Sequence, residues 1–108
     1  MDRENETIDT LLELAKQTLG IISTATAKDN EIKMILNAGI SDMTRAGVDV
    51  DPTNPLVQNT LMTYVKANFG ISNPIDKEKF LYSYRLYLSE LSLSENYKQT
   101  EAEDTTNE

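Results

Sequence analysis

The stretch from Asp29 to Gly47 constrains the fold more than any other, because its apolar and small residues recur at a single helical period. Ile32, Ile35, Leu36, Gly39, Ile40, Met43 and Ala46 follow the i, i+3, i+4, i+7 series of one helix face. At about 100° per residue they fall within an arc of roughly 140°, and Lys33, Asn37, Asp42 and Arg45 take the other side. The pattern predicts a core helix and not a strand. Thr26, three residues before Asp29, reads as an approximate capping box, each side chain serving an orphan N–H of the first turn. Gly47 is suited to the left-handed conformation at C′ and predicts the end of the helix. Gly39 lies on the buried face, where glycine costs about 1 kcal/mol relative to alanine, so a backbone approaching closely is expected there.

The segments on either side predict three more helices. The first covers about residues 7–19, with Ile8, Leu11, Leu12, Ala15 and Leu19 on one face and Leu14 off it. Gly20 ends it, and Ile21 is placed to fold back as the apolar residue of a Schellman motif. After the central helix, near residues 27–46, the two prolines and the Asx residues of Val48–Pro55 make a turn-rich loop. Asn54 is a good N-cap and Pro55 is preorganised for the first position of a third helix, near residues 55–69, closed by Gly70. Asn73-Pro74 repeats that start for a fourth helix near 75–93, with Phe80, Leu81, Tyr84, Tyr87, Leu88 and Leu91 on its core side. The expected fold is all-α, a small bundle of four principal helices over residues 7–94. A flexible N-terminus, residues 1–6, precedes it, and a disordered acidic C-terminal tail, residues 95–108, follows because it has too few apolar residues to offset ordering.

The fourth helix carries a second apolar set. Tyr82, Leu86 and Leu93 cluster within an arc of about 40° on the side opposite the core residues. Either the bundle wraps this helix on both sides, or these are ordinary exposed residues, or they form a contact with another subunit or protein. They are the candidate protein-contact face.

With 108 residues there is room for one domain and a single core. No run of 18 apolar residues occurs and the charged start Met-Asp-Arg-Glu-Asn-Glu has no apolar stretch behind it, so neither a membrane span nor a signal peptide is expected. Without cysteine there is no disulfide or thiolate chemistry, which fits an intracellular site of synthesis, and without histidine the usual zinc ligands are missing as well. The net charge of -8 argues against holding nucleic acid through its phosphates. Most of that charge sits at the ends: residues 95–108 carry five acids and Lys98, whereas residues 8–94 carry ten acids and eight bases.

No catalytic, cofactor or metal site is expected. Asp9 and Glu13 stand one turn apart on the first helix, but exposed acids at that spacing are ordinary. Asp49-Val-Asp51 opens like a calcium loop, then departs from it: Pro52 follows, Asn54 replaces the glycine, and Thr60 stands where the bidentate glutamate belongs. The isolated glycines form no phosphate loop. A helix-turn-helix from the second and third helices would need a shorter turn than this proline-containing loop, and only Lys66 gives its second helix a positive charge.

The residues left unexplained by chemistry carry a family resemblance. Leu11-Leu-Glu-Leu-Ala-Lys-Gln-Thr-Leu-Gly-Ile21, Asp29-x-Glu-Ile32, Asn37-Ala-Gly-Ile-Ser-Asp42, Ala46-Gly-Val-Asp49, Pro55-Leu-Val and Thr63-Tyr-Val-Lys-Ala-Asn-Phe-Gly70 follow one another in an order and spacing that resembles the head-tail connector, or adaptor, proteins of long-tailed bacteriophages. These are often labelled phage DNA-packaging proteins. The resemblance implies a non-enzymatic helical adaptor that binds the portal protein after DNA packaging as a ring of about twelve copies. It also implies a monomer in solution, a platform for the next connector or stopper protein, and a place at the head-tail junction of the virion, reached from the host cytoplasm. It brings no cofactor and no site residue with it. A prophage-encoded helical regulator that binds a protein outside the virion is the alternative expectation.

Overall fold

The computed structural model describes residues 7–70 and 73–94; the flexible N-terminus expected over residues 1–6 and the disordered tail expected over 95–108 lie outside the described residues. Four α-helices follow in order, α1 (Asp2–Leu19), α2 (Asp29–Arg45), α3 (Pro55–Asn68) and α4 (Pro74–Asn107), with no strand among the described residues. The expected all-α bundle is the fold. The assigned bounds of α1 and α4 run past the predicted residues 7 and 93.

At the centre lies α3, which packs on each of the other helices. Its buried residues Val57, Thr60, Leu61, Met62, Val65 and Ala67 spread around roughly 220° of the wheel, so it is enclosed rather than faced on one side. Buried Thr60 is satisfied within the helix, its hydroxyl donating to the Leu56 carbonyl at 2.7 Å. Around α3 the core gathers Leu11, Leu12 and Ala15 from α1, Ile32, Leu36 and Met43 from α2, and Tyr84 and Leu91 from α4. Leu14, which falls off the predicted face of α1, also packs against this core.

Two of the predicted helix ends form as Schellman motifs. Gly20 has φ 75°, its N–H donates to the Gln17 carbonyl at 3.2 Å, and the Ile21 N–H donates to the Lys16 carbonyl at 2.8 Å. Gly47, φ 86°, repeats the geometry through Val48 and Met43 at 3.1 Å, which buries Val48 under the end of α2. At the other ends, Asn54 Oδ1 accepts from the Leu56 and Val57 N–H groups at 2.9 and 3.4 Å, and Asn73 Oδ1 accepts from the Ile75 N–H at 2.8 Å.

The capping box at Thr26 and Asp29 does not form. The N-cap of α2 is Lys28, with no side-chain cap hydrogen bond, because the Asp29 carboxylate is directed elsewhere. Its Oδ1 lies 3.0 Å from the ammonium of Lys16, a side chain only 2% exposed. That ammonium also donates to the Ser23 carbonyl at 2.8 Å. Oδ1 accepts no hydrogen bond, so the contact is an ion pair by distance alone. The close approach expected at Gly39 is present but comes from side chains and not from backbone. A Cβ there would stand 2.7 Å from Leu61 Cδ1 and 2.9 Å from Tyr64 Cδ2.

Candidate functional site

Among the described residues, helix α4 is fastened to the bundle along one side only. The Tyr84 hydroxyl donates to Asp42 Oδ2 at 2.7 Å, and the Tyr84 ring lies 5.0 Å from that of Tyr64 at 56°. Burial, and then the bond to the Asp42 carboxylate, push the Tyr84 phenol far above the ordinary tyrosine range. Two turns on, Leu91 is buried, and the Ser92 hydroxyl donates to the Ala46 carbonyl at 3.1 Å. Near the start of the helix the Lys66 ammonium sits 5.9 Å from the centre of the Phe80 ring.

These attachments fix which way the other face points. Tyr82, Leu86 and Leu93 are 63%, 51% and 69% exposed, and no described element covers them. Ile75, 64% exposed, lies in line with them. Sequence reading missed Ile75, although its seven-residue offset from Tyr82 equals that between Leu86 and Leu93. The spacing of seven, four and seven belongs to an eleven-residue repeat, which drifts only about 20° in three turns. The result is a straight apolar stripe, about 27 Å long, running along α4 opposite its buried side.

Charged residues line both edges of the stripe, Glu78 and Arg85 on one and Lys79 and Glu90 on the other. A shallow open groove lined by Ile75, Glu78, Lys79, Tyr82 and Ser83 runs beside its first half, and a second lined by Glu78, Leu81, Tyr82 and Arg85 lies across Tyr82. An apolar strip with a charged rim can dock against another protein surface. Ile22 and Met34 are also strongly exposed, but each stands alone on another part of the chain.

The acids weighed for chemistry are not brought together. Asp9 and Glu13 are exposed on α1. Asp51 Oδ1 accepts from the Thr53 N–H at 2.9 Å and from its hydroxyl at 2.7 Å, and these bonds hold the Asp51 carboxyl below the usual carboxylate range. That is an Asx turn leading into α3. No group of three His, Cys, Asp or Glu that could hold a metal ion occurs among the described residues, and no helix there is long and apolar enough to cross a membrane.

No curated protein and no solved structure matches the chain. Its family is nonetheless clear, since residues 11–98, which take in the core of the bundle and the whole of the α4 stripe, match the family described as phage connector protein. This chain therefore belongs to the phage head-tail connector family, and its role is that of a phage connector.

Proposed function

We propose that this connector attaches to the portal after DNA packaging, closes there into a ring of about twelve copies, and offers its outer rim to the next connector or stopper protein. Tyr82, Leu86 and Leu93 form the attachment face. The observation that carries this reading is the stripe itself, left bare on a chain whose family works by joining other phage proteins. An apolar strip of this length is more than scattered exposed residues, and covering it would release bound water at no cost to the core.

In dilute solution the chain is a monomer, because the stripe is too small to hold copies together unaided. The portal supplies the difference by holding neighbours side by side at high effective concentration. The near-balanced charge of residues 8–94 suits a channel wall that DNA slides past. Mixing the protein with portal-bearing, DNA-filled heads and imaging the vertex tests the reading, which expects a stoichiometric ring on the portal. Tyr82→Ser with Leu86→Ser leaves a folded monomer and abolishes attachment. A variant that binds heads as well as wild type removes this face from the assignment, and one that unfolds makes it core. A protein that ignores heads and captures a partner outside the virion instead supports the regulator reading.

A further inference from the structure

We infer that the α4 stripe also pairs with a second copy of this chain, the two helices lying antiparallel about a two-fold axis level with position 84. The pairing does not rest on the attachment role proposed above, and its test uses no heads.

The stripe is symmetric about that level. Ile75 and Leu93 lie nine residues to either side of position 84, and Tyr82 and Leu86 lie two. A two-fold axis perpendicular to the helices therefore sets Ile75 against Leu93 of the second copy, and Tyr82 against Leu86 of the second copy. Every exposed apolar residue of the stripe meets another. The buried side of α4 is diametrically opposite, so the two bundles lie outside the pair and do not collide.

On one flank the charges agree with the same axis. On the other, Arg85 stands about 1.5 Å past it and comes level with Arg85 of the second copy, a repulsion that the two pairs on the first flank must outweigh. An antiparallel two-fold keeps each flank beside the same flank of the second copy, read in reverse. On the first flank Lys79 stands about 7.5 Å before the axis and Glu90 about 9 Å after it. Each lysine is thus brought level with the glutamate of the other copy, twice per pair. Within one helix these residues are about 16 Å apart along the axis and cannot meet. A parallel pair, which sets each flank beside the opposite one, brings Lys79 level with Glu78 of the second copy instead and leaves Glu90 with no base at its level, so dependence on Glu90 separates the two arrangements. It would also bring both 95–108 segments, each with five acids and one lysine, to the same end, where they repel.

Size sets the strength. A stripe of a few hundred Å² per copy falls short of the roughly 1,200 Å² in total that specific stable interfaces bury. The pair is accordingly weak, with a dissociation constant on the order of 0.1–1 mM, and the chain is monomeric when dilute. When paired, the stripe is covered.

Sedimentation equilibrium of the full chain to about 1 mM, at a fixed ionic strength near 0.15 M, tests this. Wild type is expected to self-associate, and Lys79→Glu and Glu90→Lys are each expected to weaken association about tenfold. Combining both reversals in one chain, or mixing the two single variants in equal amounts, restores it, since each restores both cross-pairs. Tyr82→Ser with Leu86→Ser abolishes it; should that variant fail to fold, the charge reversals, on exposed side chains, still decide. Absence of self-association overturns the inference, as do single reversals without effect, weakening by Lys79→Glu alone, or failure of the double reversal to restore.

Discussion

Lys16 joins α1 to the start of α2 with one ammonium, which bridges the Ser23 carbonyl and the Asp29 carboxylate while its own side chain is buried. Lys16→Ala leaves a carbonyl and a mostly buried carboxylate without their cation, and should cost about 2–4 kcal/mol in a urea melt. Lys16→Met keeps the packing of the stem and should cost less; equal losses would mean that packing contributes nothing. Gly39→Ala sets intrinsic helix propensity against sterics. At an exposed site it would gain close to 1 kcal/mol, but here the new methyl meets Leu61 and Tyr64 below 3.0 Å, so a net loss of about 1–2 kcal/mol is expected. A stabilised variant would show that α3 yields. The two positions differ in how far the sequence announced them. Glycine on an apolar helix face is itself a sign of a close neighbour. A lysine between Ala15 and Gln17 reads as a solvent-facing residue, since the partners that bury it come from across the turn. The same long-range contact diverted Asp29 from the cap that its spacing suggested.

The helices themselves were legible because each carries a local instruction at its ends, Gly20 and Gly47 closing α1 and α2, Asn54-Pro55 and Asn73-Pro74 opening α3 and α4. What local pattern could not supply was how α4 is fastened, since its two polar clips reach Asp42 and Ala46, residues 42 and 46 positions away. Tyr84 is the more consequential of these. Its phenol is held protonated in the fold, with a pKa above its unfolded value, so its contribution is fully present below about pH 10. As pH rises past that point the unfolded chain gains by ionising and the folded chain does not, and stability falls. Tyr84→Phe should lose about 1–2 kcal/mol at neutral pH by removing a hydrogen bond to a carboxylate. It should also flatten the alkaline fall, measured as the difference between the two proteins' melts at pH 8 and pH 11. An identical fall in the variant would place the titrating group elsewhere.

At the scale of the whole molecule, a weak apolar contact works against a net charge of -8, and half of that charge lies beyond Ser94, where five acids and Lys98 sum to -4. Copies brought side by side on a template repel one another through this charge, whereas the stripe of α4 attracts only at contact. Salt separates the two effects, because a Debye length of about 30 Å at 0.01 M shrinks to about 8 Å at 0.15 M while apolar burial is little changed. Loading of the protein onto portal-bearing heads should therefore increase over that range instead of decreasing, as it would if charge pairs were the main attraction. A chain ending at Ser94 keeps the entire stripe and has a net charge of -4, from -8 less -4. It should reach the same loading at the lower salt, and its dependence on salt should be shallower. Quantifying copies per head across the salt series decides the matter. If the shortened chain loads less well at every concentration, residues 95–108 make contacts of their own in the assembly, and the acidic segment acts as part of the joint and not as a brake on it.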